Sequence, residues 1–143
     1  MKIRNAVLWL ATLAAPAVIA DDGTPRTLTP CPDRPNCVST QATADRARMV
    51  PIAFTGSADA AQAALRRAIL ALPRSTITRE EPGFIAAEFR SRIFGFVDAA
   101  EFAIDTTASV IHFRSGARTG YSDMGVNRAR MESLMKDLAA PQP

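Results

Sequence analysis

Between residues 75 and 115 four strand-like segments follow one another with only turn residues between them. That succession does most to limit the folds open to this chain. Ser75 to Glu80 (STITRE), Phe84 to Ser91 (FIAAEFRS), Phe96 to Asp105 (FVDAAEFAID) and Val110 to Ser115 (VIHFRS) read as strands. Glu81-Pro82-Gly83 turns the first pair, and Asp105 to Ser109 connects the last. With no alternation of strand and helix beyond the first unit, a parallel sheet is not expected.

The flanking segments supply the helices. Val50 to Thr55 (VPIAFT) is a short apolar strand whose Pro51 marks an edge. After the Gly56-Ser57 turn, Asp59 is expected to cap a helix, with Gln62 three residues on. Ala61, Leu65, Ala68, Ile69 and Leu72 keep helical spacing, and Pro73 ends the run because it disfavours a helical Leu72. Met131, Leu134, Met135 and Leu138 form the apolar stripe of a closing helix. The expected fold is therefore α+β. It has a mostly antiparallel sheet of about five strands in the order β-α-β-β-β-β-α, with both helices on one face. Phe84, Ile85, Phe89, Phe96, Phe102, Ile104, Ile111 and Phe113 are the expected core.

Residues 1–20 read as an address and not as part of the fold. Lys2 and Arg4 precede an uncharged apolar run from Ala6 to Ala20, and Val18 and Ala20 fit the small-residue positions before a cut. The run is short for a membrane span, which needs about 20 residues. An uncleaved anchor through residues 6–20 is the alternative. Residues 21–30 (DDGTPRTLTP) read as a linker and residues 31–143 as one domain. Export, with a periplasmic destination, follows from this reading. It also changes the charge argument. Seventeen basic residues face fourteen acidic ones, but Lys2 and Arg4 leave with the first segment and the excess falls to one. A nucleic-acid partner is not expected from such a balance.

Both cysteines lie in one loop, CPDRPNC. In an exported chain Cys31 and Cys37 read as a disulfide that restricts the unfolded chain by roughly 2 kcal/mol. Free thiols are the alternative. A zinc site wants four ligands, and the chain has one histidine, so no metal is expected. No cofactor is expected either.

The richest segment is Arg114 to Arg130, RSGARTGYSDMGVNRAR. Four arginines (Arg114, Arg118, Arg128 and Arg130) share it with a single acid, Asp123. A strand feeds a glycine-punctuated loop that opens a helix, and a helix N-terminus offers unpaired N–H groups to an anion. Arg114, Ser115, Arg118, Tyr121, Ser122, Asp123, Asn127 and Arg128 are the candidate anion-binding residues. The competing reading is structural. In it Asp123 caps the last helix and pairs with an arginine, while Tyr121 packs its ring.

Taken together, CPDRPNCVSTQ, FGFVDAAEF and RSGARTGYSDMGVNRAR resemble the bacterial and plastid family catalogued as domain of unknown function 1499. The resemblance spans about residues 31–138. It implies a small domain, often exported or membrane-associated, with no agreed activity. The matching positions include Cys31, Asn36, Cys37, Asp98, Glu101, Arg114, Ser115, Arg118, Asp123, Asn127, Arg128 and Arg130. Ala99 stands where the family has a second aspartate, and Ala117 where it has a serine, so a mechanism that needs that paired acid is weakened in this chain.

No recognised nucleophile and base occur together. His112 lies on the strand face opposite Ile111 and Phe113. Asp98 and Glu101, three apart on a strand, point to opposite faces and form no carboxylate pair. No catalytic residues are assigned. Ile93, Phe94 and Phe96 at a turn are either core or a patch that touches a membrane or partner. The resulting expectation is an exported binding or scaffold module of the cell envelope, taking a small anionic ligand or an envelope protein. The alternatives are a hydrolase-like or transferase-like enzyme that holds an acidic group in the arginine loop, and a loop with no ligand. Cleavage should fall after Ala20, so mass spectrometry of the periplasmic fraction should find a chain beginning at Asp21. Intact Met1 or Lys2 found only in membranes would point to the anchor instead.

Overall fold

The structure is a computed structural model, and it describes residues 26–139. The segment read as a signal, the first half of the linker and residues 140–143 lie outside the described residues. Six strands and two helices follow in the order β1 (Cys37–Ser39), β2 (Ile52–Ala53), α1 (Ala58–Ala71), β3 (Ser75–Glu81), β4 (Phe84–Arg90), β5 (Val97–Asp105), β6 (Val110–Ala117) and α2 (Val126–Ala139). The four central strands form an antiparallel meander in the order β6-β5-β4-β3. The two short strands pair with the outer side of β6, β2 at its start and β1 at its end. This is the expected α+β fold. The extra strand is β1, which sits in the cysteine loop and carries too few residues for a periodic pattern.

Strand alternation decides what each face holds. Ile85, Ala87 and Phe89 of β4, Ala100, Phe102 and Ile104 of β5, and Ile111 and Phe113 of β6 face the helices. There they meet Leu65 and Ile69 of α1 and Met131 and Leu134 of α2 in one buried core. Both helices thus cover the same face. Phe96 departs from the expected core. Its parity is right, but it lies beyond Val97, the last paired residue of the β4–β5 ladder, so no helix reaches over it and it is exposed.

The other sheet face has a thinner cover. Residues 26–30, expected as linker, lie across it. Leu28 is buried on Phe84 and Ala103 because it is the one aliphatic side chain that polar segment can offer. Gln41 Oε1 accepts the Leu28 N–H at 2.9 Å, and Glu101 accepts both the Thr29 N–H and its hydroxyl. Arg26 stacks over Phe84 and pairs with Glu81.

The start of α1 corrects one expectation. Ser57, not Asp59, is the cap, and its hydroxyl accepts the Ala60 N–H. Ser57 has the extended backbone a cap requires, whereas Asp59 is already inside the first turn. Gln62 is therefore free for other work. It accepts the Gly83 N–H and donates to the Glu81 carbonyl, tying α1 to the β3–β4 turn. Leu72 ends the helix in extended conformation ahead of Pro73, as expected.

The Cys31–Cys37 disulfide is formed, with Cα atoms 5.6 Å apart. It rests on Gly116, the β6 partner of Cys37. A Cβ at Gly116 would stand 2.9 Å from Cys37 Sγ, so the glycine serves close approach and not backbone freedom. Gly116→Ala should therefore lower stability by about 1–3 kcal/mol through overpacking. Denaturant midpoints of the two oxidised proteins check this.

Candidate functional site

The arginine-rich segment begins in the last strand, where Ser115 faces the helices. Its hydroxyl donates to Asn127 Oδ1 at 2.6 Å, and both side chains are fully buried. Asn127 sits one residue into α2. Its Nδ2 donates to Asp123 Oδ2 at 2.8 Å, and its backbone N–H donates to the same oxygen at 3.0 Å. Asp123 Oδ1 accepts the Gly125 N–H. Asp123 thus caps α2 as expected. Burial pushes its carboxyl up, but these bonds outweigh that and hold it below its ordinary value. Among the described residues no arginine pairs with Asp123, whose oxygens are taken by N–H groups of the loop and helix.

Arg130 completes the inner network. It donates to Asn127 Oδ1 at 3.0 Å and to Asp98 Oδ2 at 2.8 Å, and its guanidinium stacks over Phe89 at 4.5 Å. Asp98 and Glu101 do point to opposite faces. Asp98 meets Arg130 beneath α2, while Glu101 meets Thr29 on the other side.

The remaining arginines go three separate ways. Arg114 lies on the second face, where it donates to the Ala99 carbonyl and its buried Nε has no partner. Burial holds this guanidinium below its ordinary value, while Glu101 opposite it raises it. Arg118 pairs with Glu88 at 2.5 Å. Arg128 donates to the carbonyls of Arg46 and Arg48. The eight candidate residues therefore do not all meet at one point. Ser115, Asp123 and Asn127 are brought together, whereas Arg114, Arg118 and Arg128 are dispersed. Ser122 accepts the Met124 N–H within its own turn. Tyr121 corrects another expectation: its ring is exposed, because the loop is held by its backbone and leaves the side chain outside.

That backbone is gripped by the cysteine loop. Asn36 donates from Nδ2 to the Gly120 carbonyl at 2.8 Å, and its own carbonyl accepts the Ala117 N–H. The Pro35 carbonyl accepts the Asp123 N–H at 3.4 Å. Between the two loops lies a cleft of about 350 Å3, lined by Pro35, Cys37, Arg46, Asp123, Gly125 and Arg128 among others. Arg46 itself pairs with Asp33. No group of three or more histidine, cysteine or acidic side chains suited to a metal occurs among the described residues.

One arrangement with nucleophile-like order was not visible in the sequence. Thr40 Oγ1 lies 3.1 Å from His112 Nδ1, and His112 Nε2 lies 3.7 Å from Asp105 Oδ2. The hydroxyl is already engaged, since it accepts the Phe113 N–H and also lies 3.3 Å from the Phe113 carbonyl. Asp105 accepts the Ala108 N–H in the last hairpin turn. The row stitches the edge of β6 to the segment after β1. Glu88, Asn36 and the Arg130–Asp98 pair were likewise missed as partners. The signal for the last two lay in the motifs themselves, which contain Asn36, Asp98 and Arg130.

These features define a small α+β domain whose two loop motifs, one closed by a disulfide and one rich in arginine, clasp each other. The chain belongs to the family described as protein of unknown function (DUF1499), whose sequence pattern matches residues 27–138. Among curated proteins no match is found. No helix among the described residues is long and apolar enough to cross a membrane.

The cap gives a pH-dependent expectation. A folded-state pKa below the unfolded one adds stability that is present above the unfolded value and is lost as pH falls through the folded value. Asp123→Ala should cost about 1 kcal/mol at neutral pH. The gap between parent and variant should close as pH is lowered below about 4, the ordinary aspartate range. Urea unfolding at neutral and acid pH measures both values.

Proposed function

We propose that this chain is an exported contact module of the cell envelope, in which the arginine motif clasps the loops that build a binding end. The observation that carries this reading is an exposed apolar surface at that end. Ile93, Phe94 and Phe96 in the β4–β5 connection are 82%, 76% and 58% exposed. Tyr121 and Met124 from the loop before α2, and Val126 at the first position of α2, are exposed as well. The Arg118 N–H donates to the Val97 carbonyl, so the two loops leave the same end of the sheet. Side chains of this size and hydrophobicity, grouped and uncovered, mark an interaction surface.

The partners of the arginines favour a clasp over an anion site. Arg118, Arg128 and Arg130 each end on a carboxylate or carbonyl of the chain itself, and the first N–H groups of α2 are answered by Asp123. An incoming anion would compete with those internal acceptors. The engaged Thr40 hydroxyl weighs against an enzyme that uses it.

The test is a photoreactive residue placed at position 94 in cells. It should cross-link to an envelope component, lipid or protein. The same residue at Val50, also exposed and apolar but at the β2 side of the fold, should give no such product. Equal yields from both positions, or none from position 94, would overturn the contact reading.

A further inference from the structure

We infer that the exposed end docks on a bilayer surface that contains anionic lipid, with the β4–β5 tip entering the headgroup region; this rests on the contact reading above and names its partner. The first observation is the form of the tip. The Ser91 N–H donates to the Phe96 carbonyl and the Phe96 N–H donates to Ser91 Oγ, both at 2.9 Å. The loop is thus closed by its own bonds, and its polar backbone is partly satisfied before any partner arrives. Ile93, Phe94 and Phe96 are left outward, with the two rings 5.6 Å apart and packed on each other. Such a projection needs no matching pocket. A fluid interface accepts it, and aromatic rings favour the boundary between apolar and wet regions.

The second observation is charge. Arg74, Arg90, Arg92 and Arg118 flank the tip. Glu88, the acid nearest them, is little exposed and is held by Arg118 at 2.5 Å, with Arg90 at 3.7 Å. Asp98 is spent on Arg130. Arg74 donates to the Arg90 carbonyl, and Arg92 makes no ion pair among the described residues. Glu88 and Asp98, the two acids beside the tip, are thus held by arginines and little exposed, while guanidinium groups remain at the surface. That complements an anionic leaflet, which attracts arginine close to its surface. A protein partner would need an acidic rim around an apolar hollow, whereas a fluid interface takes the tip without a shaped receptor.

The experiment is sedimentation with vesicles of phosphatidylcholine alone and of phosphatidylcholine mixed with phosphatidylglycerol. It uses the protein in the form that cells accumulate. The parent should bind the mixed vesicles, and added salt should weaken it. A variant carrying Ile93→Ser, Phe94→Ser and Phe96→Ser should bind about tenfold more weakly. Its melting temperature should be unchanged, because these side chains lie outside the core. Arg74→Gln with Arg92→Gln should reduce binding to the mixed vesicles and leave the neutral ones unaffected. Any retained residues 1–20 would add equally to parent and variants, so the comparison stands. Equal binding of parent and triple variant, or equal binding to both lipid mixtures, would overturn the inference. Failure to bind vesicles together with cross-links from position 94 to a protein would overturn the lipid partner and leave the contact reading standing. Failure of both would remove both.

Discussion

The buried amide of Asn127 is the joint on which the rest of this structure depends. It lies where the end of β6, the start of α2 and the arginine loop meet. It takes Ser115 and Arg130 on its oxygen and gives a bond to Asp123 from its nitrogen. Each partner belongs to a different piece of the fold. Ser115 fixes the strand, Asp123 fixes the loop, and Arg130 carries the connection on to Asp98 of β5. A polar side chain without exposure is costly unless its bonds are made, and here a nearly full set is made in one geometry. The crossing of α2 over the sheet is therefore specified as well as packed.

A second clasp works from the other side. The disulfide loop could not be placed by hydrophobic burial, since CPDRPNC offers little apolar surface. It is placed by the pairing of Cys37 with Gly116, by the two bonds of Asn36 to the β6 exit, and by covalent closure. The arginine motif and the cysteine motif, far apart in the chain, are two halves of one fastening. This explains why polar residues of these segments, Asn36, Ser115 and Asn127 among them, are buried. Their chemistry is spent inward. What remains outward is the apolar end and its guanidinium collar, where the functional reading rests.

Much of the architecture was legible because period and punctuation are local. The spacing of Leu65 and Ile69, Pro73 after Leu72, the alternation through β4 and β5, and the Met131 to Leu138 stripe each follow from the conformation of a few neighbouring residues. Errors arose where a local signal had a competitor or where cover was decided elsewhere. Ser57 outcompeted Asp59 as cap by two residues. Phe96 had the right parity but lay past the reach of the helices. Residues 26–30 looked like linker by composition, yet Leu28 found a hollow over Phe84 and Ala103.

The candidate site divides along the same line. By itself the sequence determined that Cys31 and Cys37 can close a loop, that Asp123 can cap α2, and that basic side chains crowd the segment from 114 to 130. These are consequences of residue type and short spacing. Only the tertiary structure decided where each guanidinium ends. Alternation sends Arg114 and Ser115 to opposite faces of β6, and the helix rotates Arg128 and Arg130 toward different neighbours. The acceptors that answer them, Glu88, Asp98 and the carbonyls of residues 46 and 48, come from distant parts of the chain. Charge attraction falls with distance in space, not along the sequence. A cluster of arginines that reads as one site on the page is therefore dispersed by the fold onto separate partners.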